Sequence, residues 1–168
     1  MLTILLAAAA VTGSCPLEMT EYRLRDDPTV TARFYPVART RDWTAGTALR
    51  VHVGATGRSF WFLPWQGGTD QRTNVAWVRE RHSPIQYQGE RRDLQLFTAD
   101  ASYHLSPDIP KTGDVAPAHL FLPDLTDLAW HSSTEGPRDA IARAFFDVAG
   151  CAAPTDKLSP SIDFPAVP

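Results

Sequence analysis

The chain is short of lysine, short of cysteine and without any clustered positive charge. Lysine stands only at positions 111 and 157 of the 168, so fourteen of the sixteen basic residues are arginine. That bias is the ordinary product of a GC-rich genome. Nineteen acidic residues bring the formal net charge to −3. This balance excludes the basic footprint that nucleic-acid binding or docking on an anionic membrane requires. No apolar run reaches the roughly 20 residues of a bilayer-spanning helix, so no transmembrane helix is expected in the mature chain. There is no Cys-x-x-Cys, His-x-His or His-Glu-x-x-His, so no metal site is expected. Nor is there a phosphate-binding loop, a dinucleotide glycine fingerprint or a Gly-x-Ser-x-Gly elbow. No cofactor is implied, and no internal repeat is present.

What stands first is an uncharged, greasy leader. Residues 2–11 (LTILLAAAAV) are followed at once by small residues up to Cys15. That order reads as the apolar core and cleavage zone of a signal peptide over 1–14, which places the remainder in the periplasm or outside the cell. Removing residues 1–14 leaves 154, enough for one domain that buries roughly 68–70% of its unfolded surface. The domain is expected over 15–151, followed by a Pro-rich extended or disordered tail at 152–168.

The two cysteines, Cys15 and Cys151, bracket the expected domain. In an oxidising compartment they predict one disulfide. Closing 136 positions of chain would stabilise the fold by roughly 4–5 kcal/mol on entropic grounds. The alternative is a lipid anchor at Cys15, because Thr12-Gly13-Ser14-Cys15 resembles a lipobox.

Between the cysteines, Pro and Gly divide the chain into short alternating runs. Glu21–Arg25, Val30–Phe34, Leu49–Val53 and Thr73–Val78 read as strands. Arg58–Leu63 returns after Gly54–Gly57, giving a hairpin over about 48–63. Leu94–Phe97 and Ser102–Leu105 are expected to pair with each other, and His119–Leu122 forms a short strand ending at Pro123. Ile141, Ala144, Phe145 and Val148 repeat at helical spacing after Pro137, predicting an amphipathic helix from Arg138 to Gly150. A shorter helix fits Asp124–Trp130. The fold class expected is therefore mostly β (α+β). It is an antiparallel sheet or sandwich of about seven to eight short strands, with one C-terminal amphipathic helix.

The strongest chemical lead is aromatic. Phe60-Trp61-Phe62-Leu63-Pro64-Trp65 runs into Gln66-Gly67-Gly68-Thr69-Asp70-Gln71-Arg72, with Trp77 beyond. A Trp platform beside amide and carboxylate groups suits a sugar ring, whose C–H face stacks while its hydroxyls bond. The other reading is a core strand entering a Gly-rich turn. Trp65, Gln66, Asp70, Arg72 and Trp77 are the ligand-binding candidates. The catalytic candidates are His104 and His131 with Asp127, which would need a nucleophile within hydrogen-bond reach. Two functions follow as expectations. The first is an exported, non-enzymatic envelope domain binding a glycan, peptide or protein partner. The alternative is a small periplasmic hydrolase with a His/Asp site.

Overall fold

A computed structural model describes residues 15–67, 72–78, 93–132 and 138–152. The leader at 1–14, Asp70, His82 and the tail from 153 lie outside the described residues. After a 3-10 turn at Leu17–Met19 come β1 (Thr20–Leu24), β2 (Asp27–Pro36), β3 (Thr47–Val53), β4 (Arg58–Gly67) and β5 (Arg72–Val78). They are followed by β6 (Asp93–Gln95), β7 (Phe97–Ala99), β8 (Leu105–Ser106), β9 (His119–Phe121), α1 (Leu125–His131) and β10 (Phe146–Cys151). The fold is mostly β, with ten strands rather than seven to eight.

All ten strands form one antiparallel sheet in the order β6-β5-β4-β3-β2-β1-β10-β9-β7-β8. β6 and β7 lie near opposite ends of this order, yet Leu96 alone separates them in sequence. One residue spans only a few ångströms, so the sheet must curl round until its two ends meet. The Leu96 amide bonds the Thr73 carbonyl at 3.1 Å across that seam. The result is an incomplete barrel rather than two stacked sheets.

Strand alternation fills the interior. Val30, Ala32 and Phe34 from β2, Leu49, Val51 and Val53 from β3, and Phe60 and Phe62 from β4 join one core. The expected hairpin over 48–63 is present, with Leu49 opposite Phe62 and Val53 opposite Arg58. Both faces of β4 are apolar for different reasons. Phe60 and Phe62 point inward, while Trp61 and Leu63 join a second, outer cluster with Trp43, Ala48, Ala76 and Val78. Pro64 does not end β4. Pairing with β3 stops at Phe62 while pairing with β5 continues to Gly67, so the proline sits where one side of the strand is open and a missing N–H is tolerated.

Two expectations are corrected. The segment 138–150 is not a helix: residues 138–145 are irregular and Phe146–Cys151 is β10. The helical spacing is misleading because Phe146 is buried whereas Val148 is 41% exposed. β10 gains a ladder on both sides, from β1 and β9, and that pairing outweighs a weak helical propensity. Its lead-in is also pinned. Asp139, 1% exposed, accepts hydrogen bonds from the Thr56 hydroxyl at 2.6 Å and Arg58 Nη1 at 3.1 Å, both at the β3–β4 turn. The helix that forms is the shorter candidate, α1, which sends Leu125, Leu128 and Ala129 into the core. Secondly, Leu94–Phe97 is not one strand. β6 pairs with β5, and β7 pairs with β8 and β9.

The Cys15–Cys151 disulfide is present. It joins the entry to β1 to the end of β10, where Thr20 stands opposite Cys151. A sulfur in this bond cannot also carry a lipid thioether, and Cys15 is buried at 7% exposure. Among the described residues no helix is long and apolar enough to cross a membrane.

Two outcomes follow. Replacing both cysteines by serine should cost about 2–5 kcal/mol in a denaturant titration. Arg58→Met should cost about 3 kcal/mol by the same measurement, because it leaves the Asp139 carboxylate buried without its cation.

Candidate functional site

One end of the curled sheet is ringed by the stretch 107–117, which contains three prolines. Inward-facing hydroxyls of the strands hold this ring. Thr73 Oγ1 donates to the Pro107 carbonyl at 3.3 Å and Thr47 Oγ1 to Pro110 at 3.1 Å. Tyr22 Oη donates to Pro117 at 3.0 Å, and Thr20 Oγ1 donates at 2.9 Å to Pro16, which lies outside the ring but is bridged to its Val115. Burial pushes the Tyr22 phenol well above its usual range, so it stays a donor. The ring continues with Thr112 Oγ1 on the Gly46 carbonyl at 2.6 Å and the Leu17 amide on the Asp114 carbonyl at 2.9 Å.

Between the ring and the β7–β8 hairpin lies an open recess of about 670 Å³. Thr98, Asp100, His104, Ser106, Asp108, Lys111 and Asp114 supply its polar lining, and Leu105, Ile109, Val115 and Pro117 its apolar lining. The β7–β8 turn is built by Asp100. Its Oδ1 accepts the Ser102 and His104 amides at 2.7 and 3.0 Å, and these bonds hold its carboxyl below the usual carboxylate range. His104 Nδ1 lies 3.2 Å from Asp100 Oδ2.

The outer wall of this turn is braced by charge and aromatic rings. Tyr103 adopts φ +64°, a left-handed conformation that costs a non-glycine residue about 1–2 kcal/mol. It is held there by stacking on His119, with centroids 4.1 Å apart and planes within 6°, and by Arg25 Nη2, which donates to its hydroxyl at 2.5 Å. Arg25 also forks onto Asp147 at 2.8 and 2.9 Å, and His119 Nδ1 lies 2.6 Å from Asp147 Oδ1. The Arg25 bonds foremost, then the contact with His119, hold the Asp147 carboxyl below its usual range.

The sequence candidates fall into three places. Trp65 is half-buried at the margin of the outer apolar cluster. Its ring lies over Gly67, where a Cβ would collide with it. Gln66 is exposed and its Nε2 donates to the Pro107 carbonyl at 2.8 Å, between Ser106 and Asp108 of the recess lining. Arg72 is exposed at the start of β5, whereas Trp77 turns inward against Phe60. Trp65 and Trp77 therefore occupy opposite faces of the sheet. His104 lines the recess. His131 and Asp127 lie elsewhere, exposed on α1, with Nδ1 3.2 Å from Asp127 Oδ1. Ser132 beside them donates its hydroxyl to the Ala129 carbonyl at 2.8 Å instead of to the imidazole.

Sequence reading missed one serine–histidine contact. His52 Nδ1 is 3.1 Å from Ser59 Oγ, which also accepts Arg50 Nε and Nη2 at 3.0 and 2.8 Å. With both oxygen lone pairs taken by Arg50, the serine proton is directed to His52. The trio fastens the outer face of the β3–β4 hairpin and leaves no lone pair for nucleophilic attack. Among the described residues no group of three or more His, Cys, Asp or Glu side chains could hold a metal ion. No family model, curated protein or solved structure matches the chain.

The Asp147 brace has a pH consequence. Its folded-state carboxyl is depressed, so its contribution is complete above the ordinary value of 3.8 and is lost as pH falls through the lower folded value. Asp147→Asn should lower the urea midpoint at neutral pH and flatten the acid limb of a midpoint-against-pH series.

Proposed function

We propose that the protein is an exported envelope domain, periplasmic or secreted, that binds a glycan, peptide or protein partner non-enzymatically. The binding surface joins Trp65 and Gln66 at the end of β4 and Arg72 at the start of β5 to the recess between the 107–117 ring and the β7–β8 hairpin. The observation that carries this reading is the shared Pro107 carbonyl. Gln66 and Thr73 both donate to it, and its chain neighbours Ser106 and Asp108 line the recess, which ties the aromatic strand end to the recess. The Cys15–Cys151 bond is compatible with an oxidising location. The curled sheet is filled by its own side chains, which leaves the ends and the outer surface for recognition.

The hydrolase alternative draws on one observation: His104, Asp100 and Ser106 all line the recess. Against it, Asp100 is engaged in holding the turn, and the His104 side chain is 82% exposed, where water competes for every contact.

Trp65→Ala and Arg72→Ala should each weaken retention of the purified domain on immobilised envelope glycan or peptide fractions about ten-fold or more, with far-UV circular dichroism unchanged. Retention equal to that of the parent in both variants sinks the assignment. Ester or glycoside turnover abolished by His104→Gln would favour the hydrolase.

A further inference from the structure

Resting on the binding reading above, we propose that the recess is a saccharide site for a mono- or disaccharide unit, with the Thr98 hydroxyl at its floor and Asp108 and Lys111 on its walls. The inward hydroxyls around this end of the sheet follow one rule: Thr20, Tyr22, Thr47 and Thr73 each donate to a proline carbonyl. Thr98 breaks it. It is 3% exposed and lines the recess, yet its hydroxyl makes no hydrogen bond among the described residues. Its oxygen is open to the recess rather than sealed in the core, so a ligand hydroxyl can take the place of the water that bonds it there.

The walls offer the rest of a sugar's needs. The carboxylate of Asp108 and the ammonium of Lys111 make no side-chain bond among the described residues, so one acceptor and one donor remain for a ligand. Leu105 and Val115, exposed at 60% and 67%, present apolar surface at the mouth for the C–H face of a ring. The volume of about 670 Å³ falls in the small-ligand range of roughly 300–1,000 Å³. Three carboxylates, of Asp100, Asp108 and Asp114, stand against the one lysine. That excess disfavours phosphates and other anions and leaves neutral polyhydroxyl compounds as the class that uses every group.

The test is a two-dimensional amide NMR titration of the disulfide-bonded protein with N,N′-diacetylchitobiose and with maltose as probes. At least one probe should shift amides of the 98–100, 104–111 and 114–117 stretches along a single binding isotherm. Thr98→Val removes the hydroxyl and keeps the shape. It should weaken binding about ten-fold while melting no lower than the parent. Thr47→Val, which strips a satisfied hydroxyl, should melt lower. No shift in the recess at millimolar probe overturns the saccharide site, as does a Thr98→Val protein that melts as low as Thr47→Val. Shifts confined to the Trp65 strand end overturn the recess assignment and leave the wider binding reading standing. Unchanged fraction retention in the Trp65 and Arg72 variants defeats that reading independently.

Discussion

The architecture depends on the pairing of the first strand with the last. β1 begins at Thr20 and β10 ends at Cys151, and these residues face each other in the middle of the sheet. Everything on one side, β2 to β6, is a meander of sequential neighbours. On the other side, β9, β7 and β8 are laddered to the meander through β10, while the Leu96–Thr73 bond ties the two ends together across the seam. The Cys15–Cys151 bond closes a separation of 136 residues at that junction, where the chain has most freedom to lose. The 2.7 Å bond from the Ala152 amide to the Met19 carbonyl extends the same junction by one more residue.

Two kinds of polar contact then finish the ends of the curled sheet. At the β3–β4 turn, buried Asp139 is met by Thr56 and Arg58. At the opposite end of β9 from α1, strand hydroxyls reach proline carbonyls, and the ring they hold frames the recess. A proline carbonyl is a sound acceptor for this purpose, because the residue has no N–H of its own to satisfy. The ring can therefore cross the strand ends with few groups left to pair. The Arg25–Asp147–His119–Tyr103 brace supports the adjoining β7–β8 turn from outside and keeps Tyr103 in a conformation it would otherwise leave.

Local alternation made much of the sheet legible in the sequence. Val30, Ala32 and Phe34, or Leu49, Val51 and Val53, face one way whatever the remainder of the chain does. β10 was not legible, because Phe146–Cys151 is a strand only by virtue of β1 and β9 on its flanks. The break at Leu96 was hidden for a similar reason: one apolar run serves both edges of the curl. The Trp65–Arg72 segment could be singled out from composition, and Gln66 bonds the Pro107 carbonyl. Trp77 could not be placed, since its inward direction follows from its register with Phe62. Thr98 carried no signal at all. A threonine on a short strand is ordinary, and its hydroxyl stands apart only beside four others that bond proline carbonyls.

The central position of β1 also sets when its partners become available. As the polypeptide emerges, β1 can pair with β2 once both are present, but its other edge has no partner until nearly the whole domain has emerged. For that interval the nascent protein presents a row of unpaired amides and carbonyls beside a reduced Cys15. Edges of this kind recruit stray strands from neighbouring molecules. Release of the final segment therefore does two jobs at once: it completes the ladder and delivers the second thiol.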